Sequence, residues 1–301
     1  MRIAIAGGTG FVGKALTDEL INNGHKVFIL TRRKGTVSPK KNLQFVHWLE
    51  DDARPWEELE QIDVLINLAG ESINSGRWSE ERKRRILQSR LNATEELLRI
   101  IKNLHSKPRV FINASAIGFY GTSTQKTFTE EEKDPGNDFL AYTVKEWEHK
   151  ANEAAGIGIR TAFCRFGIIL DKSEGALPKI VFPYKFLAGG KIGSGKQWMS
   201  WIHIKDVIRG ILFIINNEQI SGPVNFTAPN PVTMNEFGKT VGNVLHRPHW
   251  LPAPSFALKV LLGEMSLLVL EGQRVLPEKL LDAGFHFEFT ELSSALKNIF
   301  P

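Results

Sequence analysis

A single cysteine, Cys164, stands in this 301-residue chain, so no internal disulfide can form. It lies in the apolar run Thr161-Ala162-Phe163-Cys164, where a small buried thiol fits better than a nucleophile. Long hydrophobic stretches are also scarce. The longest, Phe256 to Leu270, is interrupted by Lys259, Gly263 and Glu264. A bilayer crossing needs about 20 apolar residues, so no spanning segment is expected. The opening run Arg2 to Ala6 meets glycine at once and is too short for the core of a secretion signal. A cytoplasmic protein with no membrane partner is therefore expected, in which the Asn-x-Ser/Thr matches at Asn92, Asn113 and Asn225 carry no glycan. His, Cys and acidic residues show no metal-ligand spacing, so no metal is expected. The net charge is only +5, without a basic stripe interleaved with aromatics. Arg82-Lys83-Arg84-Arg85, flanked by Glu80 and Glu81, reads as a solvated helix face and not as a nucleic-acid site.

What is present is an ordinary globular composition, 42% hydrophobic and 24% charged, with a strong alternation of elements. Strands are expected at Arg2–Ala6, Lys26–Leu30, Leu43–Val46, Asp63–Leu68, Val110–Ala114 and Ile159–Phe166. Helices are expected at Phe11–Asn23, Glu80–Leu104 and Phe139–Ala155, since their apolar residues recur at helical spacing. Such alternation implies an α/β fold, a Rossmann-type doubly wound parallel sheet with helices on both faces. After about residue 170 the rhythm changes, with glycines at 175, 189, 190, 193 and 195 between short apolar pieces. The expected organisation is a dinucleotide-binding domain over residues 1–170, to which later segments return, and a smaller C-terminal α/β substrate lobe over 171–301. That lobe is expected to contain helices at Val207–Ile215 and Met234–Leu245, a strand at Val224–Phe226, and a last helical segment after the stretch Pro248–Pro254.

Gly7-Gly8-Thr9-Gly10-Phe11-Val12-Gly13 follows the first strand and opens the first helix. Gly7 permits the tight turn, Gly10 lets backbone amides approach a pyrophosphate, and Gly13 lets helix and sheet pack closely. A diphosphate would then lie at the positive end of the helix dipole. The second strand decides which dinucleotide. It ends in Thr31-Arg32-Arg33, with no acid before Glu50. An acid there would accept from a ribose 2′-hydroxyl, whereas an arginine grips a 2′-phosphate. NADP(H) is the expected cofactor, with Thr31 and Arg32 at its 2′-phosphate and Thr9, Phe11 and Val12 completing the cradle. Leu68-Ala69-Gly70 ends the fourth strand with small residues beside the adenosine side. Glu71 comes next and faces either the site or solvent. Arg90, on the following helix, points either at the cofactor or into a surface ion pair.

The G-x-x-G-x-x-G spacing resembles the short-chain dehydrogenase/reductase superfamily, in particular its extended, epimerase-like branch. Asn113-Ala114-Ser115-Ala116-Ile117-Gly118-Phe119-Tyr120-Gly121 is similar to that branch's fifth-strand signature, and Ser200 to Val207 to its F-I-H-V-D-D-V segment. Gly189 to Gly195 and Leu270 to Pro277 resemble a subgroup labelled SulA-like, which ends in a small domain of uncharacterised role, here from about residue 250. The resemblance covers essentially the whole chain.

It also implies a Tyr-x-x-x-Lys pair on the helix after the fifth strand, for proton exchange with the substrate. Here Tyr142 would pair with Glu146, and Lys145 is one residue too early. Setting Glu148 against the glutamate that usually follows the lysine places Leu140 and Val144 at the two positions. The companion Ser/Thr position falls on Ala116, with Ser115 just before it and expected to turn to the other side. The remaining catalytic candidates are Ser115, Tyr120, Tyr142 and Lys145. Ser115 could also contact the cofactor, and Tyr120 is placed toward the nicotinamide. For Tyr142 and Lys145 the competing reading is an amphipathic helix with Tyr142 packed and Lys145 solvated. His203, with Asp206, is explained as well by helix capping as by chemistry. Gly190 to Lys196 matches the start of a phosphate-binding P-loop, but Gln197 replaces the Ser/Thr that would hold magnesium. A substrate loop using Lys196 and Gln197 is the better expectation.

Two functions follow. One is an NADP(H)-dependent reductase or epimerase of a small carbonyl or hydroxyl compound or a nucleotide sugar. The other is a catalytically silent NADP(H)-binding module that senses redox state or binds a partner. A homodimer formed through the two long helices is a further expectation.

Overall fold

In the computed structural model, which describes residues 1–38 and 40–301, seven parallel strands form the central sheet. They are β1 (Arg2–Ala6), β2 (Lys26–Thr31), β3 (Leu43–His47), β4 (Val64–Asn67), β5 (Val110–Ala116), β6 (Arg160–Phe166) and β7 (Gly222–Phe226). Their order is β3-β2-β1-β4-β5-β6-β7, the doubly wound arrangement expected from the alternation. Successive side chains of a strand point to opposite faces, so both faces must be covered. Ile3 and Ile5 of β1 pack with Leu16 and Leu20 of α1 (Phe11–Asn22) on one side. Ala4 and Ala6 lie on the other, with Leu97, Leu98 and Ile101 of α2 (Glu80–Asn103). Beside α2 runs α3 (Phe139–Ala151), shorter than expected because the chain passes through Asn152 into a separate turn, Glu153–Gly156. Cys164 is fully buried in the first of these cores, and burial pushes its thiol pKa up.

The second lobe is built on a third core. In it α4 (Leu177–Lys185), α6 (Met234–Leu245) and α8 (Leu292–Ile299) surround Trp201 and Met199. Sequence periodicity did not separate α4 from its glycine-rich surroundings. Leu177, Val181 and Tyr184 nevertheless recur on one buried face, and Pro178 sits in the first turn, where a missing N–H costs nothing. α5 (Ile204–Asn216) packs on the sheet beside α1, with Ile211 and Ile214 in the same core as Leu16 and Leu20. His203 caps α5, its Nδ1 accepting from the Lys205 N–H at 3.1 Å, and its ring stacks on Phe289 with centroids 4.0 Å apart. Burial pushes the His203 pKa down to about 4. The buried Asp206 carboxylate accepts from the backbone N–H groups of Glu288 and Phe289, tying the C-terminal segment to the sheet layer. Capping and tethering thus account for both residues. Among the described residues, no helix is long and apolar enough to cross a membrane.

Candidate functional site

The glycine turn is built so closely that side chains cannot enter it. A Cβ on Gly13 would stand 2.2 Å from the Gly7 carbonyl oxygen, and one on Gly7, whose φ is +77°, would stand 2.6 Å from the backbone of Leu68. The Gly10 N–H donates to the Gly7 carbonyl at 3.0 Å, and Gly10 begins α1 without a side-chain cap. The first amides of α1 therefore face outward beside β1 with no side chain competing for them, which suits an anionic diphosphate. The residues present fit a dinucleotide.

Above this turn, at the carboxyl ends of the strands where the order switches between β1 and β4, lies a cavity of about 610 Å³. Gly7, Gly10, Phe11, Val12 and Gly13 form its floor, with Leu68, Gly70, Arg90 and Ser115 beside them. Leu140, Val144 and Trp147 of α3 contribute one wall, and Leu267, Leu268 and Glu271 to Gln273 close it from the C-terminal segment. Thr9, Thr31, Arg32 and Ala69 lie outside this lining. The Thr31 hydroxyl accepts from the Arg33 N–H at 3.2 Å. Arg32 is exposed and, among the described residues, makes no hydrogen bond or ion pair. The nearest following acid, Glu50, is held by Lys34 at 3.0 Å, and that contact lowers its pKa.

The loop after β4 is fixed by a buried amide pair. Asn67 Nδ2 donates to Asn113 Oδ1 at 2.7 Å and to Thr94 Oγ1 at 3.1 Å, while its Oδ1 accepts from the Ala69 N–H at 3.1 Å. Trp147 Nε1 donates to the same Thr94 oxygen at 3.1 Å. Arg90 lies against the Trp147 ring at 5.1 Å and donates through Nη1 to the carbonyls of Glu71 and Ile86. Among the described residues it makes no carboxylate pair, and burial draws its pKa down to about 10. This resolves the Arg90 alternatives toward the cavity. Glu71 turns the other way and pairs with Arg82 and, at 2.7 Å, Arg85. Arg82 is consequently buried, so the expected fully solvated basic face of α2 is corrected at that residue.

The catalytic candidates separate. Ser115, expected to turn away, lines the cavity, because β5 continues to Ala116 before the chain bends into the single turn Ile117–Tyr120. Its hydroxyl donates to Glu148 Oε1 at 2.5 Å. Tyr120, expected toward the nicotinamide, is instead buried behind the cavity. Its hydroxyl donates to Asn225 Oδ1 at 2.7 Å, and burial pushes its pKa up to about 12. Tyr142 is 53% exposed and Lys145 is exposed, both outside the cavity lining. Tyr142 lies two residues past the position held by Leu140 and Lys145 one past that held by Val144, which rotates both to other sides of the helix. Lys196 and Gln197 also leave the site. Lys196 is exposed, while Gln197 is buried and spends its amide on the carbonyls of Ile192 and Val269.

Sequence reading missed the ion pair under Ser115. Arg165 donates to Glu148 through Nε at 2.8 Å and Nη2 at 2.7 Å, and its guanidinium lies 3.6 Å from the centroid of the Phe119 ring. The signal was available: an arginine inside the apolar run of β6 requires a buried acid, and a glutamate on the inward face of α3 supplies it.

The NAD dependent epimerase/dehydratase family matches residues 3–226, and a domain of unknown function, DUF1731, matches residues 253–299. Epimerase family protein YfhF of Bacillus subtilis (strain 168) is 51% identical over 299 residues, spanning 99% of this chain and 98% of that protein. Epimerase family protein SA0724 of Staphylococcus aureus (strain N315) is 42% identical, spanning 98% and 97%. The crystal structure of human epimerase family protein SDR39U1 (isoform 2) with NADPH superposes with a TM-score of 0.89 at 32% identity, covering 99% of both chains.

Proposed function

The chain belongs to the NAD dependent epimerase/dehydratase family, and on that footing we propose that it is an NADP(H)-binding protein whose cavity takes a small ligand without the family's usual proton-transfer pair. The observation that carries this reading is an intact glycine cradle facing Leu140 and Val144 where tyrosine and lysine would serve. Gly7, Gly10 and Gly13 would hold the diphosphate, with Thr9, Phe11 and Val12 around it. Leu68, Ala69 and Gly70 would pass beside the adenosine. Arg32, beside Thr31 and paired with no carboxylate among the described residues, would take the 2′-phosphate, in keeping with the NADPH of the human structure. Bound there, the cofactor supplies hydride transfer at its nicotinamide.

What the chain itself supplies is limited. Ser115 donates its hydroxyl hydrogen bond to Glu148 and so presents lone pairs to the cavity, where it accepts from a ligand N–H or O–H. Thr143 spends its hydroxyl on the Phe139 carbonyl, and Ser200 on that of Gln273. No tyrosine, lysine, histidine or cysteine lines the cavity among the described residues. Binding without epimerase-type turnover follows. A second reading, reduction or epimerisation of a small carbonyl or hydroxyl compound, rests on Ser115 and Glu148 as a proton relay. A nucleotide sugar suits the cavity less, because Arg90 is the one cation on its lining among the described residues.

The test is fluorescence titration with NADPH and NADH, followed by a panel of carbonyl substrates. NADPH is expected to bind much more tightly, with no steady cofactor oxidation. Sustained oxidation that disappears in Ser115→Ala would replace this reading with the relay.

A further inference from the structure

The second lobe exposes several large apolar side chains. At the end of α4, Phe182 is 59% exposed and Phe186 69%, their ring centroids 5.1 Å apart. Trp250, 67% exposed, joins them by donating through Nε1 to the Leu187 carbonyl at 2.8 Å. A few residues later comes α7 (Ser255–Leu262), which buries none of its side chains. Phe256 and Val260, one turn apart, are 73% and 77% exposed on it. Isolated surface apolar residues need no explanation, but a cluster of aromatics followed closely in the chain by an uncovered helix does.

The charge carried by these segments is mostly of one sign, and the first acid past α7, Glu264, is held by Lys83. No acid occurs between Glu174 and Asp206, nor between Glu236 and Glu264. Lys179, Lys185, Lys191, Lys239, Arg247 and Lys259 fall in those intervals, and none forms an ion pair among the described residues. A second copy docking by two-fold symmetry would bring these cations face to face, which opposes that occupant. Aromatic side chains among unpaired lysines are instead what an anionic lipid surface receives, the rings at headgroup depth and the ammonium groups on the lipid phosphates. The outward faces of α2 and α3, where a dimer was expected, are polar by contrast. Tyr142 is the one large apolar side chain exposed there among the described residues.

We propose that the α4 end, Trp250 and α7 form a peripheral docking surface for an anionic lipid bilayer. This departs from the expectation of no membrane partner, which rested on the lack of a spanning run. A peripheral surface needs none. It is independent of the cofactor reading, since none of these residues lines the cavity.

The full chain would be sedimented with vesicles of phosphatidylcholine alone and with vesicles containing equal phosphatidylglycerol. Binding is expected to the mixed vesicles in about 0.1 M salt, and to fall in about 1 M salt, where the Debye length shrinks to about 3 Å. Lys185→Gln should weaken partition about fivefold, and Phe186→Ser about tenfold or more. Both variants should keep the parent's melting temperature. No binding to either vesicle, or equal binding by parent and both variants, overturns the proposal. So does concentration-dependent dimerisation abolished by Phe186→Ser without vesicle binding, which would assign the face to a second copy. Capture by an acidic polypeptide in place of vesicles would overturn it equally.

Discussion

Adding a single methyl group at Gly13 is the sharpest perturbation of the cradle. Its carbon would stand 2.2 Å from the Gly7 oxygen, 2.7 Å from the Gly8 Cα and 2.9 Å from the Gly7 carbonyl carbon, all backbone atoms. Contacts this short do not occur, so α1 must retreat from the turn by roughly 1 Å. Overpacking of that order costs about 1–3 kcal/mol. At about 2–4 °C per kcal/mol for a chain of this size, Gly13→Ala should melt between about 2 and 12 °C below the parent. The retreat also displaces the amides that would hold a diphosphate. NADPH at about a hundredfold excess over Kd stabilises a binder by about 2.7 kcal/mol. The parent should therefore gain several degrees on adding NADPH and the variant almost none. Gly24→Ala separates the two effects. Gly24 has φ +77° but no heavy atom within 4 Å of the added carbon, so strain alone acts. It should lower the melting temperature and leave the NADPH response intact. Thermal melts of the three proteins with and without NADPH decide the matter. A Gly13→Ala protein stabilised by NADPH as strongly as the parent would refute the close-approach argument.

Arg32→Ala should weaken NADPH binding about tenfold to a hundredfold, the scale of a lost charged hydrogen bond, and leave NADH binding unchanged. Equal losses for both in parallel titrations would reject Arg32 as the 2′-phosphate ligand. Glu148→Gln leaves Arg165 buried without its counter-charge and should cost about 3–5 kcal/mol in urea unfolding. Replacing both residues by methionine should cost less than that single change, and a larger cost for the pair would mean that the bridge itself stabilises the fold. His203 concerns pH. Burial holds its pKa near 4 against an ordinary 6.5, so unfolding takes up a proton as pH falls through that interval. Stability is fully present above about 6.5 and declines toward 4. His203→Asn keeps an N-cap acceptor without titrating and should flatten the decline in melts across that range.

The sheet was legible because parallel strands buried on both faces must be largely apolar, and the inner residues of β1, β2 and β4 are. The cradle was legible because strand, turn and helix all agree around Gly7 to Gly13. The rest of the cavity depends on where side chains point after packing, which spacing does not encode. Arg90 faces inward because Trp147 and the carbonyls of Glu71 and Ile86 receive it, and those partners come from two other segments. Tyr120 reads as a site residue from its position after β5, yet one bend sends it to Asn225 on the far strand β7. Of the wall from Leu267 to Gln273, only the part from Leu270 was seen as a family-like motif, and nothing in its composition announced that it closes the cavity. A chain reading locally finds what each element must do alone and misses what distant elements do together.

That wall has a consequence for the order in which the protein is made. The glycine turn leaves the ribosome long before the segment facing it across the cavity, Leu267 to Gln273. Between them β7, the edge strand of the sheet, must also wait for its own residues to emerge. A nascent chain therefore carries a finished diphosphate cradle with no opposite wall, open to water and unable to enclose a nicotinamide. Translation itself delays the closed site until the wall from Leu267 to Gln273 has emerged. A truncated product would keep the most recognisable sequence motif and lose the enclosure that gives it a use.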